Sequence, residues 1–253
     1  MAGHSKWANI KRRKAKVDAQ KGKIFTRLAR EIIVAAREGG GDPEANPRLK
    51  AAIQRAREAN IPNDNIMRAI QKGTGEIAGS HYEVLYYEGY GPGGVAVLVR
   101  TLTDNRKRTA AEIRHVFSRY GGNLGEAGCV AWMFEPRGLI IIDREAVDIS
   151  EDDMLLAVVE AGGDDLKTAE DSFEILTAPE ELHNVAARLI EQGIPVAEAQ
   201  VTMMPQTTVT ISDEENDRLE RLLEALEDLD DVDEVYTNYE APAPKFNNPA
   251  FNR

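Results

Sequence analysis

Cations are the residues whose spacing first calls for chemistry. The opening thirty residues hold ten Lys or Arg and one acid, Asp18, for a net charge of +9. Lys6, Lys11, Arg12, Arg13, Lys14, Lys16, Lys21, Lys23 and Arg27 crowd together with almost nothing nearby in sequence to neutralise them. Like charges packed this closely oppose folding unless an anion is supplied from outside. A polyphosphate backbone is the fitting partner, because neutralising its phosphates releases condensed counterions. Trp7, among these cations, has two readings: stacking on a base, worth roughly 1–3 kcal/mol, or packing the arm onto the helices that follow. A second cluster lies in DNRKRT, where Arg106, Lys107 and Arg108 fall in the first turn of a predicted helix capped by Thr103 or Asp104. Cations there face the positive end of the helix dipole, an arrangement unfavourable by roughly 0.3–1 kcal/mol each. A helix N-terminus with added cations suits a phosphate. Changing all three to Ala is therefore expected to keep or raise stability while nucleic-acid affinity falls.

Bond-making chemistry finds no comparable support. His4, His81, His115 and His183 sit in unrelated segments without metal-ligand spacing. Cys129 precedes VAWMF, a predicted strand, where a small buried hydrophobe is the expected role. GYGPGG matches the glycine spacing of a dinucleotide fingerprint, but a β-branched strand follows it where the fingerprint requires a helix. A hairpin turn explains those glycines. The expectation is a binding protein, not an enzyme, with no metal, no cofactor and no small-molecule substrate.

Charge is segregated along the chain. Residues 1–80 carry 17 Lys and Arg against 8 Asp and Glu, net +9, and residues 81–253 carry 14 against 35, net −21. The total of −12 thus averages a basic module and an acidic body that would repel nucleic acid and confine contact to one face. The hydrophobic share of 42% and charged share of 29% are those of a soluble globular chain. No stretch approaches 18 consecutive apolar residues, which excludes a transmembrane helix. The basic opening lacks the apolar run of a secretory signal and carries only Ser5, few serines for a transit peptide. With one cysteine and no disulfide framework, the expected compartment is the reducing cytoplasm.

The elements that must position these cations divide into three predicted domains. Residues 1–80 form a basic helical domain of three helices. The stripe Phe25, Leu28, Ala29, Ile32, Ile33 and Ala36 marks the first, and Gly39–Gly41 stop it. The second has Asn46 as cap, Pro47 at its first position and Leu49, Ala52, Ile53 and Ala56 inside. The third is capped by Asn63 or Asp64, buries Ile66 and Ile70, and ends at Gly73. Residues 81–135 plus 206–240 form a discontinuous α/β domain, which includes the hairpin YEVLYYEGY–GPGG–VAVLVRTLT, the predicted strands CVAWMF and TTVTIS, and a leucine-striped helix. Inserted in it, residues 136–205 follow the order βαββαβ, the ferredoxin-like pattern. Residues 241–253, rich in Pro and Asn, are a predicted flexible tail. The class is α+β, with two small α/β (ferredoxin-like) sheet domains after a three-helix domain.

Three stretches carry a family resemblance: MAGHSKWANIKRRKAKVDAQKGKIFTRLAREI, NIPNDNIMRAIQKGTG and TDNRKRTAAEIRHVFSRYGGNLGEAGCVAWMF. Together they resemble the YebC/PmpR family, which includes mitochondrial translational activators of a cytochrome oxidase subunit. The start at Met1 without a leader is similar to bacterial members. The resemblance implies a helical domain followed by two α/β domains and one of two roles. One is the family's customary label, a DNA-binding transcriptional regulator. The other is a ribosome-associated factor on ribosomal RNA that helps translation through difficult sequences such as proline runs. The expected partner is therefore DNA or ribosomal RNA, with no membrane and a monomer as default. The absence of a base-reading motif leans toward RNA, for which shape, phosphates and the 2′-hydroxyl suffice.

Overall fold

The computed structural model describes residues 21–79 and 81–240, with side chains from Ile24 onward. The arm residues Lys6, Trp7, Lys11, Arg12, Arg13, Lys14 and Lys16, the side chains of Lys21 and Lys23, and the tail after residue 240 lie outside the described residues.

Two compact units emerge. In the described residues one comprises 21–134 and 217–237, and the other 135–216 and 238–240. The first unit begins with α1 (Lys21–Gly39), α2 (Pro47–Glu58) and α3 (Asn63–Thr74). Their apolar stripes meet in one core of Ile32, Ile33, Ala35, Ala36, Leu49, Ala52, Ile53, Ala56, Ile66, Ala69 and Ile70. Asn46 ties α1 to α2: its Oδ1 accepts from Leu49 N at 3.0 Å, and its Nδ2 donates to Ala35 O and Gly40 O. This buried amide is satisfied on both sides, as such a group must be.

The third helix differs from its expected ends. It starts at Asn63 behind Pro62, with no side-chain cap, and runs past Gly73 to Thr74, where Gly75 adopts the left-handed turn. Gly73 serves packing instead: a Cβ there would stand 2.5 Å from Ile33 O and 2.7 Å from the Ala36 Cβ. Only glycine lets α1 and α3 approach this closely.

The same unit holds a four-stranded sheet in the order β3-β1-β2-β8, built from β1 (Glu83–Tyr90), β2 (Ala96–Thr103), β3 (Asn123–Leu124) and β8 (Val232–Thr237). β1 and β2 are the expected antiparallel hairpin, from Glu83↔Thr103 to Tyr90↔Ala96, turned by Pro92–Gly94 with Gly93 and Gly94 at positive φ. α4 (Arg106–Arg119) follows β2, and α7 (Asp213–Glu227) precedes β8.

Two predicted strands are corrected. In CVAWMF, Ala131–Met133 form a single 3-10 turn, and the strand β4 (Phe134–Asp143) starts only at Phe134 and runs on through GLIIID. The cause is Glu88. Its buried carboxylate accepts from the amides of Gly128, Val130 and Ala131 at 2.6–2.8 Å, drawing them away from any strand ladder. Burial pushes the Glu88 carboxyl up, but these three hydrogen bonds outweigh it and hold the group below its ordinary value. Cys129 consequently sits half-buried in this loop and not in a strand. TTVTIS likewise forms no strand. It contributes one bridge, Val209 with Tyr239. Ser212 and Glu215 exchange hydrogen bonds in the manner of a capping box, so Ser212 serves the start of α7.

The second unit runs β4, α5 (Glu151–Ala161), β5 (Asp165–Thr168), β6 (Ser172–Thr177), α6 (Leu182–Glu191) and β7 (Glu198–Pro205). Its sheet order, β5-β6-β4-β7, places the first and third strands centrally, as a βαββαβ ferredoxin-like unit does. Ile140, Ile142, Phe173 and Ile175 from the sheet pack on Met154, Val158, Val185 and Leu189 from the helices. The fold is α+β: N-terminal helices followed by two antiparallel sheets.

Candidate nucleic-acid interface

The cations of DNRKRT occupy the start of α4 as expected, but the cap is Asn105, whose Oδ1 accepts from Arg108 N at 3.1 Å. Thr103 and Asp104 have other tasks. Thr103 is fully buried, its Oγ1 accepting from Asn105 N and donating toward Asp231. Asp104 accepts from Arg108 Nη2 at 3.0 Å.

Asp231, on the turn leading into β8, gathers this junction. It is 3% exposed. Its Oδ2 accepts from Arg108 Nη2 at 2.7 Å, Thr109 Oγ1 at 2.8 Å and Thr103 Oγ1 at 3.1 Å, and its Oδ1 accepts from Arg30 Nη1 of α1 at 2.9 Å. Burial would push this carboxyl up. The hydrogen bonds from Arg108 and Thr109 and the charges of Arg108 and Arg30 more than offset it and hold the group below the ordinary aspartate value.

Arg27 and Arg30 stand one turn apart on α1; Arg27 reaches the last carbonyl of α7, and Arg30 a carbonyl of the turn that follows it. Arg27 Nη2 donates to Glu227 O at 3.2 Å, and Arg30 Nη1 to Asp230 O at 2.7 Å. Carbonyls at a helix end lack intrahelical partners and carry the negative end of the dipole, so guanidiniums are well placed there.

Of the first-turn cations, Arg106 forks onto both carboxylate oxygens of Glu83, whose carboxyl is lowered mainly by that hydrogen bond. Arg108 is held by Asp231 and Asp104. Lys107 is exposed and has no ion-pair partner among the described residues. The expectation that triple Ala substitution would leave stability unchanged or raised is therefore overturned for Arg108. Its loss would strip a hydrogen bond from a buried carboxylate, whereas the dipole argument had treated its charge as unopposed.

Arg30, Glu83, Thr109 and Asp231 are the structural partners that sequence reasoning missed. Asp231 lies 123 positions from Arg108 and 201 from Arg30, in a run of acids indistinguishable from a solvated face. Glu83 alone left a faint signal, since the hairpin pairs it with Thr103, close to Arg106.

Among the described residues no three or more His, Cys, Asp or Glu are grouped to hold a metal ion, and no helix is long and apolar enough to cross a membrane. Cys129 does not resemble an activated thiol: burial and the Glu88 charge both push it up.

Comparison with known proteins matches residues 5–76 to the model for the TACO1/YebC protein N-terminal domain and residues 82–239 to that for the TACO1/YebC second and third domain. A protein of Pelotomaculum thermopropionicum named "Probable transcriptional regulatory protein" is 63% identical over 240 residues, covering 95% of this chain and 99% of that one. A protein of Desulforamulus reducens with the same name is 60% identical, with the same coverage. The crystal structure of a conserved hypothetical protein from Aquifex aeolicus superposes with a TM-score of 0.80 at 49% identity, covering 92% of this chain and 95% of that one. The chain belongs to the TACO1/YebC family.

Proposed function

We propose that the chain is a non-enzymatic, nucleic-acid-binding regulator of gene expression acting in the cytoplasm. The observation that carries this reading is the charge division, +9 in residues 1–80 against −21 in the remainder. A basic module attached to an acidic body binds a polyanion on one side and turns it away on the other. The name of the two relatives supports the regulatory part. In this reading the basic helical domain, residues 1–80, supplies the contact, and its arm, from Lys6 to Lys23 with Trp7, meets phosphates. The discontinuous domain, 81–135 plus 206–240, adds Lys107 and the outer faces of Arg106 and Arg108, while 136–205 is acidic and repels a polyanion. Arg27 acts through α7, whose end it holds.

By the family label the nucleic acid is DNA. A second reading, a ribosome-associated factor on ribosomal RNA that relieves stalling at sequences such as proline runs, is favoured by how the α4 cations are held. Arg106 and Arg108 are tethered to carboxylates, and the described residues of α4 present no array to read base edges in a major groove. Shape and backbone recognition suffice for RNA. Sedimentation of cell extract at low and high salt tests both. Travel with ribosomes supports the RNA reading and travel with DNA the transcriptional one. Free migration at both salt concentrations overturns nucleic-acid binding altogether.

A further inference from the structure

A cavity of about 420 Å³ opens between α1 and α3 beside Tyr82, within the first unit and apart from the Asp231 junction except for one shared residue, Arg30. Its floor is small and apolar, formed by Ala29, Ile33 and Ala69. Phe25 and Tyr82 supply aromatic surface, both half-buried. Arg30 lies over the Tyr82 ring at 5.1 Å, and its Nε is buried with no hydrogen-bond partner among the described residues.

The polar lining comes from one face of α3. Asn65, Arg68 and Lys72 follow at spacings of three and four, so they align along the helix. All three are exposed, and none has a side-chain partner among the described residues. Three other cations of the bundle differ, Arg48 pairing with Glu38, Lys50 with Glu44 and Arg55 with Glu31, whereas Arg57, away from the cavity, has no ion pair among the described residues. Arg68 and Lys72, like charges four apart, repel each other mildly, and neither makes an ion pair within 4.0 Å among the described residues.

A slot with an apolar floor, aromatic walls, a free amide and two uncompensated cations combines the features of single-strand recognition, which are stacking surface, an edge-reading amide and a phosphate site. The volume is in the range that holds a small organic ligand. We propose that this cavity takes one unstacked nucleotide of a single-stranded segment, its base against Phe25 and Tyr82, its edge at the Asn65 amide and its phosphate on Arg68 and Lys72. The proposal rests on the nucleic-acid reading and deepens it. A base stacked inside a duplex cannot enter the cavity, so single strands are preferred.

The test uses the full chain and three fluorescein-labelled probes of one 15-nucleotide sequence: single-stranded RNA, single-stranded DNA and blunt duplex DNA. A central 2-aminopurine in a parallel set reports unstacking. Wild-type protein is expected to bind a single strand about ten-fold more tightly than duplex, with a change in 2-aminopurine emission. The stronger of the two single strands identifies the source of the nucleotide. Ala29→Leu fills the floor and is expected to abolish the preference while leaving duplex affinity unchanged. Because Ala29→Leu could misfold, Asn65→Ala and the double variant Arg68→Ala/Lys72→Ala, all at exposed positions, carry the same expectation of lost single-strand preference. Equal binding of single strand and duplex by wild type, or single-strand affinity within two-fold of wild type in the exposed-position variants, overturns the cavity proposal and leaves general nucleic-acid binding standing. Failure of wild type to bind any of the three probes also overturns the cavity proposal, and sedimentation with ribosomes or DNA then decides the nucleic-acid reading separately.

Discussion

Arg108 in the first turn of α4 and Arg68 midway along α3 are both arginines on short helices of one compact unit, and both reach solvent. Arg108 answers a buried carboxylate and helps join α1, α4 and the turn before β8. Arg68 answers nothing among the described residues and borders a cavity. Counting cations along a sequence treats the two alike. The structure separates charges that complete the fold from charges with no protein partner among the described residues, and that separation sorts the substitutions expected to change stability from those expected not to.

The comparison breaks most decisively at Asp231. Asp231→Ala leaves Arg30 and Arg108 without their shared anion and the buried Thr103 hydroxyl short of its acceptor, and is expected to cost about 3–5 kcal/mol in chemical denaturation. A loss under about 1 kcal/mol would show that the α4 cations are solvated much as those of α3 are. Arg108→Ala should cost less, about 1 kcal/mol, because its side chain is 43% exposed and Arg30 and the hydroxyls remain on Asp231.

Acid sharpens the same point. A carboxyl held below its ordinary value contributes stability that is fully present above that value and is lost as pH falls through the folded-state value. Denaturation midpoints should therefore fall as pH drops below the ordinary aspartate range, and Asp231→Asn should flatten that limb of the curve. An unchanged limb would assign the acid sensitivity to other carboxylates. The smallest stability effects belong to Lys107→Ala and Arg68→Ala, which should leave thermal midpoints at wild type. Each should lower the slope of log affinity against log salt by about one if it meets a phosphate. A destabilised Arg68→Ala variant would erase the contrast between the two arginines.

How much of this was visible in the sequence follows from distance along the chain. The bundle was, because Leu49, Ala52, Ile53 and Ala56 are all buried and a 3.6-residue period needs only local information. The βαββαβ unit was too, since its elements alternate without interruption. The α4 cap was not, because Thr103, Asp104 and Asn105 are all competent caps and only the tertiary role of Thr103 decides among them. CVAWMF had strand composition, yet Glu88, some forty residues earlier, claims its amides. At the candidate interface, the cations of DNRKRT were legible and their partners were not, since Asp231 lies 123 positions from Arg108 in sequence.

The second unit, which intervenes in the sequence, has a consequence for biosynthesis. β2 receives its second neighbour, β8, and Thr103 receives Asp231 only after 128 further residues have been translated. At ordinary rates of roughly 5–20 residues per second this delay lasts about 6–26 seconds. During it the hairpin carries one open edge, Arg30 and Arg108 lack their anion, and residues 135–216 emerge and can fold first. A nascent chain that stops short of residue 231 therefore keeps the β2 edge unpaired, so the junction closes only once residue 231 has emerged.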